Sequence, residues 1–402
     1  MIEVTYRFPA HVDAAKQAEV IAVGQTAGSW GARFAHREPQ LRAHLGQVLG
    51  IERQADGASL ARIGFPVTNT ESDSGTLLTM IFGKYSLAGP ARIVDLRLPS
   101  GYGTPAKFGV EGLRRLTQVH GRPLFMGIFK PALGLTADDH AALLREVAGA
   151  GLDLIKDDEI LGNLAEAPTL ARVRACRAVI DETRTSTGRE ILYAVNLTGR
   201  ADRLNATAHA LIAEGANALL FNALVYGYPA LEALAADTAV SVPIFTHPAL
   251  AGAFGGPTDG SGDYGIDYPV LLGTLMRHAG ADAVLYPAHY GSLPFAAATE
   301  FRIRDRLREP LPDRRPAALP VPSAGIHPGV LEQALHDYGD DVVLNAGTAI
   351  FDHPQGPAAG VRAFFAALET VRAGQPLRAD SVTDEPLRVA LQTWAGVREK
   401  RR

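Results

Sequence analysis

Cysteine is almost missing. Cys176 is the single one in 402 residues, so an intrachain disulfide and a zinc cage of cysteines are both excluded. It sits at helical spacing in "TLARVRACRAVIDE" and reads as a packing residue. Long hydrophobic runs are missing too. No stretch approaches the roughly 18 to 20 uncharged apolar residues of a spanning helix. The opening "MIEVTYRFPAHVDAAKQAEVIAV" carries charge where a signal peptide is apolar. The expectation is a cytoplasmic chain with no membrane partner. Neither sign of charge dominates: 39 basic and 43 acidic residues give a net charge of -4, with no basic patch to suggest nucleic acid. Only the final "REKRR" is basic, and it reads as a solvated tail.

Lysine is scarce as well. The basic residues are almost all arginine, and lysine occurs only at positions 16, 84, 107, 130, 156 and 400. Lys130 and Lys156 nonetheless stand at the ends of apolar runs, which points to chemistry that arginine cannot perform.

What is present describes a globular enzyme: 47% hydrophobic and 20% charged residues, in a chain long enough for two domains. The first hundred residues mix a strand-like opening, a helix near residues 11 to 23, and the alternating segments "ASLARIGFPV" and "LLTMIFGKYSL", as in a small α+β, ferredoxin-like unit. The glycine- and proline-dense "LRLPSGYGTPAKFGVEG" reads as a linker, dividing the chain into residues 1–105 and 106–402. Eight short apolar runs follow, alternating with helical stretches: "LFMGIFK", "LDLIK", "ILYAVNL", "ALLFNAL", "VPIFTH", "DAVLYP", "ALPVPSA" and "VVLNAG". Eight strand–helix pairs in this length match a (β/α)₈ TIM barrel. An open doubly wound sheet is the alternative, without the GxGxxG turn that would mark a dinucleotide site.

In a parallel barrel the strand ends face the catalytic loops. These ends carry Lys130, the run Lys156-Asp157-Asp158-Glu159, Asn196, Asn222, His247, Ser323 and Asn345, with Gly347 and Thr348 just beyond. Asp158 and Glu159 can give oxygen ligands to magnesium, which accepts one or two carboxylates and keeps several waters. A third anionic ligand is wanted, and a neutral Lys156 amine can supply it by reacting with carbon dioxide to form a carbamate. The neighbouring carboxylates by themselves raise the lysine pKa and oppose that step, so the carbamate is expected only with metal present. A lysine salt-bridged to acids at a loop start is the plain alternative. The small residues of "SAG" after strand seven and "NAGT" after strand eight let backbone N–H groups approach an anion where barrels often bind phosphate. Simple tight turns would look the same. The long loop "AGAFGGPTDGSGDYGID" suits either a mobile lid or a plain surface loop.

"GLDLIKDDE" and "GIFKPALGL" together resemble the metal-site segments of the RuBisCO large-chain family. "TAGSW", "FGVEGLRR", "THPALAGA", "PSAGIHPG" and "LNAGTAIFDHPQG" extend the resemblance along nearly the whole chain. It implies a carbamylated Lys156, magnesium ligands Asp158 and Glu159 with Asp157 only a neighbour, an acid/base Lys130, and His247 at the reacting centre. It also implies a phosphate pocket of Ser323, Gly325, Gly347 and Thr348, completed by Ser29 and Trp30 from a neighbouring subunit, and so a homodimer or larger homo-oligomer.

Several positions depart from the carboxylating enzymes. Ala132 replaces the second lysine of "KPK", and Pro248 replaces the arginine after the strand-five histidine. Loop six, "PAHYGSLPF", has no lysine, and Gly24 and Met80 stand for the glutamate and asparagine that complete the neighbouring site. The resemblance therefore points to a RuBisCO-like protein that enolises a phosphorylated carbonyl compound, not to carboxylation. The reactions it brings into view are a 2,3-diketo-5-methylthiopentyl-1-phosphate enolase, a methylthioribulose-phosphate isomerase, and a decarboxylase or transcarboxylase/hydrolase acting on 3-oxo-isoapionate 4-phosphate. The last group is favoured, on the expectation that the strand-five and loop-six segments leave room for a smaller or more polar substrate. A non-catalytic ligand-binding protein is the rival class. His289 of loop six is a candidate for substrate contact, whereas His327 and His353 are expected to hold their loops in shape.

Overall fold

The computed structural model describes residues 1–87, 89–258, 262–293 and 295–394; the basic "REKRR" lies outside them. The chain builds two sheets. In the first, β1 (Ile2–Phe8), β2 (Gln47–Arg53), β3 (Ser59–Phe65) and β4 (Arg92–Arg97) pair antiparallel in the order β4-β1-β3-β2. The second has eight parallel strands: β5 (Leu124–Ile128), β6 (Leu154–Lys156), β7 (Leu192–Leu197), β8 (Ala218–Phe221), β9 (Ile244–Thr246), β11 (Ala283–Pro287), β12 (Leu319–Ser323) and β13 (Val343–Ala346). β13 pairs with β5, and β12 lies beside β13 to close the barrel. All eight apolar runs of the sequence are barrel strands, so the open-sheet alternative falls.

Period-two alternation explains the barrel's two cores. Leu124, Met126, Leu154, Leu192, Leu220, Phe245, Leu285 and Val321 fill the interior, while Phe125, Ile155, Tyr193 and Val195 face the helices outside. Val110 and Leu113 of the helix Gly109–Thr117 plug the N-terminal end of the barrel. The fully buried Asp282 fastens that plug by accepting the N–H groups of Phe108 (2.7 Å), Gly109 (2.9 Å) and Ile244 (2.8 Å).

Two local expectations are corrected. "LLTMIFGKYSL" is not a strand: Ser74–Phe82 is a helix capped by Asp73, and its buried Leu77, Met80 and Ile81 follow the i, i+3, i+4 spacing. A run apolar at nearly every position satisfies both periods, and the Asp73 cap decides for the helix. The glycine-rich loop after β9 is neither lid nor plain surface loop at its far end. Gly265–Ile266 there forms β10, which pairs parallel with β4 and adds a fifth strand to the N-terminal sheet. Arg92 beside Asp267 (3.1 Å) buries an ion pair at that junction.

The linker is fixed by a buried polar cluster. The ring of His278 lies 3.1 Å from both the Tyr102 carbonyl and the Arg315 guanidinium. Burial, reinforced by Arg315 and Arg277, pushes its pKa down to about 4. A histidine held neutral this way supports the fold above the unfolded pKa near 6.5, and that support is lost as pH falls towards 4. We expect wild type to lose about 2 kcal/mol more than His278→Gln between pH 7 and pH 5. Urea denaturation at the two pH values checks this.

Candidate active site

The C-terminal end of β6 delivers Lys156 into the barrel mouth, where its side chain is 1% exposed. Its ammonium donates to the Asp157 carbonyl at 2.8 Å and lies 3.8 Å from Glu159 Oε2. Burial lowers its pKa from the ordinary lysine value, and Lys130 pushes the same way, against the pull of Glu159, Asp158 and Asp157. The sequence expectation weighed only the carboxylates; the structure adds burial, and burial is the largest effect. Burial thus works towards the neutral amine that carbamate formation requires.

The three carboxylates have different fates. Asp157 is wholly buried and receives Arg172 (2.9 Å), the Tyr193 hydroxyl (2.6 Å) and the Asn196 N–H (3.0 Å). Every bond its carboxylate makes holds the fold. Asp158 faces Lys130, whose ammonium donates to Oδ2 at 2.7 Å. Burial works to raise the Asp158 pKa, yet Lys130 and Lys156 bring it below the usual carboxylate value. Glu159 is the most exposed of the set, and its backbone carbonyl is held by the amides of Asn196 (2.9 Å) and Asn222 (3.2 Å). The ends of β7 and β8 thus steady the loop that carries Glu159.

His247 follows β9. Its Nδ1 accepts the Ala249 N–H at 3.2 Å, which leaves the Nε2 proton for Glu159 Oε2, 3.3 Å away. Burial and the nearby Lys156 push its pKa down to about 3, so the ring is neutral near pH 7. It orients Glu159 in the way a histidine–carboxylate pair orients a ligand.

Do these groups suit magnesium? Among the described residues no cluster of three His, Cys, Asp or Glu side chains forms a ready-made cage. Two carboxylates and one buried, pKa-lowered amine are what a carbamate-completed site needs. The side-chain oxygens of Asn196 and Asn222 are also buried without a hydrogen-bond partner, acceptors that a hydrated cation would satisfy. The residues fit.

The other side of the mouth is a cavity of about 410 Å³ between the ends of β5, β12 and β13. Gly325, Gly347 and Thr348 line it, together with Lys130, Ser292 and Trp394. The wall depends on missing side chains. A Cβ on Gly347 would crowd the Lys130 stem at 3.4 Å, and Ala324 and Gly325 turn through φ values of +67° and +101°. Ser323 differs from expectation. It does not line the cavity, because its hydroxyl donates to the Val321 carbonyl (3.0 Å) and accepts the Asn345 amide (2.9 Å). Its place at the strand end committed it to closing the barrel.

His327 and His353 do hold loops, accepting the N–H groups of Gly329 (3.2 Å) and Gln355 (3.1 Å). Both rings face Trp394, which the sequence reading passed over because the helix Glu385–Trp394 is remote from any motif. Cys176 is buried, as a packing residue should be, and burial pushes its thiol pKa up. Ser29 and Trp30 belong to the N-terminal unit, where Arg42 lies over the Trp30 ring at 5.9 Å. Lys84 was also overlooked. Its ammonium lies 3.9 Å from where a Cβ on Gly24 would stand, so an amine occupies the place of the missing glutamate.

Comparison with known proteins agrees with this geometry. The description "Ribulose bisphosphate carboxylase large chain, catalytic domain" matches residues 109–394. The chain belongs to the RuBisCO large-chain family. Within it, the chain is 56% identical over 393 residues (98% of this chain, 99% of the relative) to a 2,3-diketo-5-methylthiopentyl-1-phosphate enolase of Microcystis aeruginosa. It is 43% identical to the enzyme of that name in Exiguobacterium sibiricum, with 98% of each chain covered. The crystal structure of a RuBisCO-like protein from Alicyclobacillus acidocaldarius superposes with a TM-score of 0.87 at 42% identity, covering 98% of this chain and 99% of that one. RuBisCO of Pyrococcus horikoshii reaches a TM-score of 0.89 at only 26% identity, with coverage of 99% and 95%. This is a RuBisCO-like protein, which shares the carboxylase fold but carries Ala132, Pro248 and a lysine-free loop six where the carboxylating enzymes differ.

The divided roles of the carboxylates are testable. Asp157→Asn breaks a buried ion pair and is expected to cost about 3 to 5 kcal/mol of stability, read by urea denaturation. Asp158→Asn should leave stability nearly unchanged and remove magnesium binding, read by calorimetric titration in bicarbonate.

Proposed function

We propose that this RuBisCO-like protein is a 2,3-diketo-5-methylthiopentyl-1-phosphate enolase. The observation that carries the reading is the polarity of the barrel mouth. The anion cavity lies at β12, β13 and β5, and the opposite side of the strand order belongs to β8 and β9. There the loops present Val225, 49% exposed, and Leu250, 55% exposed. A substrate with phosphate at one end and a methylthio group at the other matches both sides. The expectation of a smaller or more polar substrate rested on the strand-five and loop-six segments, and the first of these carries the exposed Leu250. A sugar acid such as 3-oxo-isoapionate 4-phosphate would set hydroxyls and a carboxylate against that apolar rim. The names of the relatives support the same choice.

Enolisation moves a proton from carbon 1, beside the phosphate ester, to the oxygen on carbon 2. Lys156 as its carbamate, with Asp158 and Glu159, would hold magnesium, whose charge would stabilise the oxygen as it becomes negative. Gly325, Gly347 and Thr348 receive the phosphate through backbone N–H groups. Lys130 lines this cavity and reaches Asp158, which supports a role for its amine in taking the carbon 1 proton. Residues 106–402 supply these parts. Residues 1–105 offer Ser29, Trp30 and Lys84 to the site of a neighbouring copy in a dimer, so Lys84 is the second amine able to take the proton.

Purified protein with magnesium and bicarbonate should form the enol from the diketo phosphate and exchange the carbon 1 proton in D₂O. Replacing the base by methionine, at Lys130 or at Lys84, should slow exchange about a hundredfold or more, and which variant does so identifies it. Turnover of methylthioribulose phosphate or 3-oxo-isoapionate 4-phosphate in place of the diketone would overturn the assignment, and binding without turnover of any of them would favour a ligand-binding role.

The apolar rim gives a second test. Leu250 has a left-handed backbone, φ +69°, which asparagine adopts at lower cost. Leu250→Asn should therefore keep or raise the melting temperature while raising KM about tenfold, the effect of losing one buried apolar contact.

A further inference from the structure

Loop six needs another explanation here, since it lacks the lysine that makes it catalytic in the carboxylating enzymes. His289 was a candidate for substrate contact, yet its ring turns the other way. Nδ1 lies 2.7 Å from Glu300 Oε2, and because a carboxylate oxygen accepts, Nδ1 carries the proton. The His289 backbone N–H donates to the same oxygen, and the Tyr338 hydroxyl donates to Oε1. Glu300 belongs to the helix Ala297–Arg308 and is 0% exposed. Among the described residues no lysine or arginine forms an ion pair with it. A buried carboxyl group is costly unless its oxygens are hydrogen-bonded, and here two of its three donors come from loop six.

The loop is then fixed to the phosphate cavity. The Ala288 N–H donates to the Ser323 carbonyl at 3.1 Å, and the Ser292 N–H donates to the Ala324 carbonyl. There is no slack between the two segments. A Cβ on Gly291 would stand 2.2 Å from the Ala324 oxygen, and one on Gly325 would stand 2.6 Å from the Ser292 nitrogen. Ala324 and Gly325 both have left-handed φ, so the turn that lines the cavity adopts a conformation that loop six braces from behind.

We infer that Glu300 is a positioning residue: through His289 it locks loop six against the Ala324–Gly325 turn and so sets the phosphate-binding geometry. Loop six is a fixed strut in this protein. The inference rests on the reading of the cavity as the phosphate site, and its test needs no enolase substrate. The probe is inorganic phosphate, titrated calorimetrically against the magnesium-loaded protein.

Glu300→Met removes every acceptor and should weaken phosphate binding about tenfold, the scale of a lost hydrogen bond to a charged group. Glu300→Gln keeps one oxygen for His289 and should restore most of the affinity. Tyr338→Phe removes only the donor outside the loop, so it should lower the melting temperature with phosphate affinity unchanged. Should Glu300→Met fail to fold, His289→Ala carries the test with an expected loss of about threefold. Wild-type phosphate affinity in both Glu300→Met and His289→Ala would overturn the proposal. So would affinities that simply track melting temperature, Tyr338→Phe included. If the protein binds phosphate, and these variants weaken it, while no diketone is turned over, the enolase assignment fails and the strut stands.

Discussion

The site depends on one constraint: a lysine amine is kept out of water at the tip of a strand with carboxylates on the same turn. Desolvation favours its neutral form, and the carboxylates favour its charged form. The balance is set by everything that excludes solvent from the barrel mouth. The Asp157 carboxylate is bonded to Arg172 and Tyr193 inside the fold, so it acts on the ammonium only as a nearby charge, weaker than Glu159 or Asp158. Lys130 draws on Asp158, a second competitor, and repels the amine directly. The four consecutive charges of the sequence are thus sorted by burial into one desolvated amine, two carboxylates turned to the barrel mouth and one structural anchor.

The remaining strand ends are supports. Asn196 and Asn222 hold the Glu159 backbone, His247 orients the Glu159 carboxylate, and Asn345 with Ser323 ties β13 to β12 beside the cavity. None of these bonds involves a reacting atom. They fix the distance between the carboxylate side of the mouth and the cavity at β12, β13 and β5, the span that the proposed diketo phosphate would have to bridge.

Much of this was legible in the sequence because parallel barrels write their chemistry at strand ends. The eight apolar runs, the Lys156 cluster and the glycines of the phosphate turns all carried local signals, in β-rich runs and in small residues at loop starts. What stayed hidden was non-local. Ser74–Phe82 satisfied two hydrophobic periods at once, and its helix was decided by a cap. β10 has only two residues, too few for any periodicity, and exists because β4 offers it an edge. The partner of the Ser323 hydroxyl, Asn345, comes from another strand and has no local signal. Glu300, Trp394 and Lys84 lie far from every motif, and their importance arises only from what the fold brings beside them.

The two-residue strand Gly265–Ile266 has a consequence for how the substrate end of the site can change. The segment running from His247 past Leu250 is sewn at its far end into the sheet of the other unit. It behaves as a bridge anchored on both banks. Lengthening or swapping it would tug on β4 and on the buried Arg92–Asp267 pair, so a change at the barrel mouth is felt where the two sheets meet. A graft that moves this loop between family members must carry its landing strand and the arginine that receives it.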